Sequence, residues 1–318
     1  MRKLVITGAL GHIGSRLIHS LRPGEFDEVL LVDDLSTQRY CSLFRLPEGV
    51  PYRFVEADIT SADLGTLFRE ADVVIHLAAI ANAAGSFDIQ EQVEQVNYEG
   101  AVRVANACIA ARAKMIFLST TSIYGTQEDT VDEDCGPEHL NPQSPYAKSK
   151  MRAEQELHAL GDKGGLRYVT CRLGTIYGTS PGMRFHTAVN KFVWQACVGR
   201  PITVWRTALH QKRPYLELGD AVRALKFIVA SDRFDNRIYN VVTDNVTVND
   251  IVQTIREFVP DLRIELVDSR IMNQLSYTVL VDKFRSRGFD FEGKLREGIR
   301  DTVMLLRGAR SADARSEV

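Results

Sequence analysis

Leu4-Val5-Ile6-Thr7-Gly8-Ala9-Leu10-Gly11-His12-Ile13-Gly14 is the stretch on which the fold turns. Three aliphatic residues run straight into glycines spaced three apart, the pattern of a strand that passes through a tight turn into a helix. A pyrophosphate can approach the backbone of such a turn and meet the start of the helix. The spacing is Gly-x-x-Gly-x-x-Gly and not the more familiar Gly-x-Gly-x-x-Gly, and glycines here could serve only to let helix and strand pack closely. Asp33 tips the balance. It closes the next apolar run, Val29-Leu30-Leu31-Val32, and stands 33 − 14 = 19 residues after Gly14, close to the roughly 20-residue spacing at which an acid meets the adenosine ribose of a dinucleotide. A carboxylate there repels a 2′-phosphate, so the expected cofactor is NAD and not NADP. Asp34, the neighbouring acid, reads as a loop residue or a cap.

Outward from this turn the same rhythm repeats. Phe54-Val55, Val73-Val74-Ile75, Met115-Ile116-Phe117-Leu118 and Tyr168 to Leu173 are short continuous apolar runs, as expected of parallel strands covered on both faces. Helical patterns lie between them over Gly14 to Leu21, Ser61 to Phe68 and Gln92 to Arg112, and another starts at Ser144-Pro145. The expected fold class is α/β, a Rossmann-type doubly wound parallel sheet, with a smaller C-terminal α/β substrate domain. Residues 1–173 form the dinucleotide-binding unit, to which 214–242 returns. Residues 174–213 and 243–307 form the second unit, with a helix from Thr187 to Val198 and a strand Ile202-Thr203-Val204. Residues 308–318 are small, charged and aperiodic, and are expected to be a disordered tail.

Composition narrows the partners. In 318 residues, 39 Lys+Arg oppose 41 Asp+Glu for a formal charge of −2, and neither sign forms long blocks, which argues against nucleic-acid and membrane-surface partners. The five cysteines, Cys41, Cys108, Cys135, Cys171 and Cys197, are scattered without a Cys-x-x-Cys pair, so neither a disulfide framework nor a metal site is expected. The first strand begins at Leu4 without a signal-type apolar region and no stretch approaches a membrane span. A cytoplasmic protein is expected.

The chemistry gathers at a second place. Tyr146 and Lys150 stand four apart on a predicted helix, so they share one face. A tyrosine ordinarily titrates near about 10, and a nearby ammonium favours its phenolate, which makes the pair a candidate general base. Such a pair is also common on solvated helix faces. Ser119-Thr120-Thr121-Ser122, directly after a buried strand, supplies the context, because ligands of doubly wound folds sit at the carboxyl edge of the sheet.

Thr7 to Gly14, Asp33, Asp58, His76-Leu77-Ala78-Ala79, Asn97, Thr120 through Tyr124-Gly125 and Tyr146-Ala-Lys-Ser-Lys150, in this order, resemble the extended short-chain dehydrogenases of the nucleotide-sugar epimerase/dehydratase family. The resemblance spans nearly the whole chain. It implies Thr120, Tyr146 and Lys150 as catalytic residues. It implies cofactor contacts at Gly8, Gly11, His12, Ile13, Gly14, Asp33, Asp58, Ile59, Leu77, Ala78, Ala79 and Asn97, with Tyr146 and Lys150 reaching the cofactor as well. Substrate contacts are implied at Ser86, Thr120, Thr175, Asn190, Arg213 and Arg270. In Arg172-Leu173-Gly174-Thr175-Ile176-Tyr177-Gly178 a threonine, Thr175, stands where members carry a substrate-contacting Asn. Arg213 matches an arginine that meets the substrate's diphosphate, a role suited to a planar guanidinium. The stretch Met183-Arg184-Phe185-His186 reads more readily as exposed loop than as ligand contact. The helices at Gln92 to Arg112 and Pro145 to Leu160 imply a homodimer.

The resemblance also implies a shared first step, oxidation of a sugar hydroxyl by bound NAD. Dehydratases of the family carry Asp-Glu directly after the catalytic Thr and decarboxylases a Glu shortly after it, whereas this chain has Thr121-Ser122. The expected activity is therefore that of a nucleotide-sugar 4-epimerase of the UDP-hexose type, acting through a transient 4-keto sugar. The alternatives are a dehydratase or UDP-glucuronate-type decarboxylase that draws an acid from elsewhere, Glu217 or Asp88, and, from another class, a non-catalytic NAD-binding regulator.

Overall fold

Apolar runs such as Val29-Leu30-Leu31-Val32 need cover on both faces, and the chain supplies it. The computed structural model describes residues 2–125, 130–268 and 276–308. In chain order the first half forms β1 (Lys3–Thr7), α1 (His12–Ile18), β2 (Glu28–Asp33), β3 (Tyr52–Glu56), α2 (Leu64–Leu67), β4 (Val73–His76), α3 (Gln90–Glu94), α4 (Gly100–Ala111), β5 (Lys114–Thr120), β6 (Thr130–Val131) and α5 (Pro145–Asp162). The second half forms β7 (Arg167–Leu173), β8 (Thr175–Tyr177), α6 (Ala188–Cys197), β9 (Ile202–Trp205), β10 (Lys212–Glu217), α7 (Leu218–Ala230), β11 (Ile238–Val241), β12 (Asp244–Thr247), α8 (Val248–Arg256), β13 (Ile264–Val267), β14 (Thr278–Val279), α9 (Asp282–Arg285) and α10 (Leu295–Leu306).

A seven-stranded sheet in the order β11-β7-β5-β4-β1-β2-β3 is parallel throughout. The order reverses between β1 and β4, which pair from Leu4↔Val73 to Thr7↔His76. This is the switch point at which doubly wound sheets open a crevice. One face buries Leu4, Ile6, Leu17, Ile116, Val169 and Leu225 under α1 and α7; the other buries Val5, Leu30, Val74, Met115, Phe117, Val104 and Leu157 under α4 and α5. A third cluster, with Val193, Ile251, Ile255 and Ile299, joins α6, α8 and α10 over the small sheets.

Several boundaries differ from the sequence pattern for local reasons. The Ser61 to Phe68 helix shrinks to α2, since Asp58 accepts from Thr60 N at 2.8 Å and Asp63 caps Thr66 N at 3.2 Å, committing the preceding residues to turns. The Gln92 to Arg112 helix starts at Gln90 and carries one π turn over Gln95–Glu99. Residues 212–217 pair in the small sheet between β8 and β12, while Leu216 among them packs with Leu218 into the first core. Phe284 and Phe289, grouped by pattern with the second unit, pack into the first core beside Tyr239. Residues 309–318, most of the expected tail, lie outside the described residues, as does Arg270. Among the described residues no helix is long and apolar enough to cross a membrane.

Candidate active site

The three glycines of the first turn do different work. Gly8 has φ +67°, and a Cβ on it would stand 2.5 Å from Ala78 N, so only glycine lets β1 turn against the end of β4. A Cβ on Gly14 would strike Ala9 O at 2.5 Å. Gly11 is the open one: its Cβ would meet Gly8 O at 3.3 Å and nothing else closer than the Arg39 side chain at 4.0 Å. Gly8 and Gly14 thus serve packing, while Gly11 leaves the backbone open on the cavity side. Asp33, at the end of β2, accepts from Leu10 N at 2.9 Å and Leu35 N at 3.1 Å, one bond to each oxygen, which leaves each an acceptor position for a ribose hydroxyl.

From this turn a cavity of about 590 Å³ runs past Leu77 and Ala79 to Ser119, Thr120, Tyr146 and Lys150 and on to Thr175 and Arg213, within the range of ligand pockets. Pro145 opens α5 at its first position and Ser144 caps it, accepting from Ala147 N at 3.2 Å. The helix then presents Tyr146 and Lys150 one turn apart. Thr120 ends β5, accepts from Ser122 N at 3.1 Å, and hydrogen-bonds the Tyr146 phenol. Lys150 is 3% exposed, with its ammonium 4.7 Å from the Phe117 ring centroid. Asn97 lies in the π turn, accepts from Ile80 N at 2.8 Å and donates to Ile80 O and Ser149 Oγ. It ties the loop after β4 to α5 from behind the cavity. A π turn often carries such a functional displacement.

Other sequence-predicted residues stand elsewhere. Ser86 is buried; its hydroxyl donates to Ala83 O at 2.6 Å and accepts from Tyr146 N at 3.3 Å, so it braces the start of α5 and does not line the cavity. Asn190 is buried too. It accepts from Gly178 N at 3.1 Å and donates to Arg184 O at 3.1 Å, holding the segment 178–184 over the glycine turn. Ile59 sits in the core and Asp58 is an exposed turn acid beyond β3. Glu217 caps α7 and Asp88 follows a short turn; neither lines the cavity.

The segment read as exposed loop is where structure adds most. Ser180 Oγ donates to His12 O at 2.9 Å, Gly182 N to Ser15 Oγ at 3.0 Å, and His12 Nε2 bonds Gly178 O at 3.0 Å, so residues 178–182 strap onto the first turn of α1. Arg184 and His186 are thereby carried into the cavity. The Nε of Arg184 is buried without a hydrogen-bond partner. Arg39, Lys150, Arg184, Lys191 and Arg213 all line the cavity, and among the described residues no Asp or Glu does. Such a pocket suits a ligand with several negative charges. The only sequence sign of this was the Gly/Pro run that lets the strap fold back.

Burial governs the titrations. It pushes Tyr146 above its ordinary range, opposed by Arg184 and the Thr120 hydrogen bond. It pulls Lys150 down to about 7, opposed by Glu154. His76, bonded to Thr7 Oγ1 at 2.7 Å and stacked on Phe117, and His12 are both held to about 3, chiefly by burial, with Lys150 and Arg184 respectively adding to it. A histidine whose folded value lies below its unfolded value of 6.5 takes up fewer protons when folded, so stability is lost as pH falls below 6.5. Two such residues give about 2.7 kcal/mol per pH unit between roughly pH 5.5 and 3.5. Urea unfolding across that range is expected to show this slope, and H76F to reduce it by about half. A slope unchanged in H76F would refute the assignment.

Comparison with known proteins fits this geometry. The profile of the NAD dependent epimerase/dehydratase family matches residues 4–241. An uncharacterized UDP-glucose epimerase of Bacillus subtilis (strain 168) is 27% identical over 75% of this chain and 76% of its own. A trifunctional UDP-glucose 4,6-dehydratase/UDP-4-keto-6-deoxy-D-glucose 3,5-epimerase/UDP-4-keto-L-rhamnose-reductase of Arabidopsis thaliana is 27% identical over 95% of this chain, which spans about half (47%) of that longer protein. Among solved structures, MoeE5 in complex with UDP-glucuronic acid and NAD superposes with a TM-score of 0.83 at 27% identity, covering 96% of this chain and 99% of that one.

Proposed function

The chain belongs to the NAD dependent epimerase/dehydratase family, and we propose that within it the protein is a nucleotide-sugar 4-epimerase, with a UDP-hexose as the class of substrate. Its cofactor is NAD, and the site fits one: Gly11 of the glycine turn and Lys150 line the cavity, for the pyrophosphate and beside the reacting end, and Asp33, outside that lining but bonded to Leu10 N of the same turn, suits the ribose. When bound, NAD supplies a hydride acceptor that can also give the hydride back.

The residues of the chain do the rest. Tyr146 takes the proton of the sugar hydroxyl and Thr120, within hydrogen-bonding reach of the phenol, holds the same oxygen, so charge developing there meets two prepared groups. Arg184 favours the phenolate, and Lys150, one turn on along α5, adds a cation to the same cavity. Arg213 and Lys191, at the far end of the cavity, suit the substrate's diphosphate. One observation carries the choice of epimerisation over elimination. Loss of water from a keto sugar calls for an acid or base at a neighbouring carbon, and among the described residues no carboxylate lines the cavity. The keto sugar is left with a return of the hydride to its other face. The B. subtilis relative, named as a UDP-glucose epimerase, supports this reading, and the UDP-glucuronic acid held by MoeE5 supports a nucleotide sugar. A cytoplasmic homodimer completes the proposal.

Incubation with a panel of UDP-, dTDP-, GDP- and CDP-sugars, followed by mass spectrometry and proton NMR, is expected to give a product of unchanged mass with C4 inverted. Release of water or carbon dioxide, or an accumulating keto sugar, would exclude it in favour of a dehydratase or decarboxylase. NAD bound tightly with no sugar turned over would favour a regulator.

A further inference from the structure

Lys150 is a buried lysine, and a buried ammonium is costly without a partner. The groups that face it are few. On its own helix Tyr146 lies one turn before it and Glu154 one turn after; from β4 comes His76, from β5 the Phe117 ring. His76 is held neutral by burial and Tyr146 is held toward its neutral form. Glu154 is the one acid acting on Lys150, and it is 6% exposed.

Glu154 does not stand free. Arg172, 4% exposed on β7, donates from Nη2 to its Oε2 at 2.7 Å and from Nε to its two oxygens at 3.1 and 3.2 Å. The remaining arm, Nη1, donates to the Tyr124 hydroxyl at 2.9 Å, which donates to Asn240 Oδ1 at 2.9 Å. A forked guanidinium held at both ends fixes a carboxylate in direction as well as in charge. We propose that Glu154, locked in place by Arg172, is a positioning residue that keeps the Lys150 ammonium charged under the cavity, so that the motif beginning at Arg172 serves the chemistry from behind the sheet. This rests on the reading of Tyr146 and Lys150 as the reacting pair. It also accounts for an arginine that stands at the end of β7, just before the chain enters the substrate side, and yet does not line the cavity.

The test reads Lys150 directly and needs no sugar. In protein carrying ¹³C-labelled lysine, with K150M used to assign the signal, NMR follows the titration of Lys150 in the full chain. In E154Q its midpoint is expected to fall by about one unit or more, and in E154D to stay within about half a unit of the unaltered protein. E154Q leaves Arg172 buried without its partner, a change that can itself unfold a protein, so the paired variant E154M/R172M removes both charges and keeps the apolar volume. It too is expected to show the lowered midpoint, and in the enzyme's pH profile the alkaline limb of kcat moves to lower pH by the same interval with KM little changed. A purely structural ion pair would instead lower activity by one factor at every pH. A Lys150 midpoint unmoved in E154Q or in the paired variant overturns the inference. A moved midpoint in a protein that turns over no nucleotide sugar sinks the functional reading and leaves this one standing.

Discussion

Tyr146→Phe is expected to cut turnover by about 10³-fold or more while NAD binds within a few-fold of normal, because one oxygen is removed from the cavity and nothing else. Positioned acid–base groups contribute on the order of 10²- to 10⁴-fold, and in the proposed reaction the phenol, hydrogen-bonded to Thr120, is the group that takes the proton of the sugar hydroxyl. The measurement is single-turnover reduction of bound NAD by the sugar, read by absorbance, beside an NAD titration. Activity within tenfold of the unaltered enzyme would remove Tyr146 from the mechanism. Loss of NAD along with activity would move it into cofactor binding.

Lys150→Met is expected to abolish turnover to a similar degree and, at the same time, to make the protein more stable. The sign follows from burial. The folded value of Lys150, about 7, lies below its unfolded value of 10.5, so the folded chain holds fewer protons between these limits. The cost of burying the lysine is therefore complete at and below pH 7 and fades as pH approaches 10.5. At about 1.36 kcal/mol per unit the shift sets a ceiling of about 5 kcal/mol. Methionine forfeits the contact with the Phe117 ring, of order 1 kcal/mol, so a net gain of about 1–3 kcal/mol at pH 7 is expected, vanishing near pH 10. Urea unfolding at several pH values decides it: a loss of stability at pH 7, or a gain independent of pH, contradicts the account. Such an exchange of stability for function is common where a site needs a strained or buried charge.

Much of this was legible in the residues. The apolar runs and their spacing to Gly8, Gly11, Gly14 and Asp33 announce a parallel sheet with a dinucleotide turn, because strand burial and turn geometry are local properties. Tyr146 and Lys150 share a helix face by spacing alone, and Ser144-Pro145 marks where that helix begins. What could not be read is what depends on distant segments meeting. Ser86 and Asn190 look like polar ligands, yet each has its hydrogen bonds taken up inside the fold. Arg184 and His186 look like loop and are loop, His186 exposed, yet both line the cavity. Residues 212–217 pair in the small sheet while Leu216 among them packs into the first core, a double duty that periodicity does not show.

By itself, then, the sequence determined the layer architecture and the glycine turn that follows β1, and it placed Tyr146 and Lys150 on one helix face, since each rests on periodicity, on a residue's own backbone freedom, or on neighbours within one turn. Only the tertiary structure decided which polar groups are free to meet a ligand. It brought the strap at 178–182 down onto His12 and Ser15, lined the cavity with cations and, among the described residues, no acid, and set Arg172 behind Glu154 and Lys150. The reason is physical: whether a buried polar group is spent or available depends on the partner that packing delivers to it, and packing joins residues far apart along the chain.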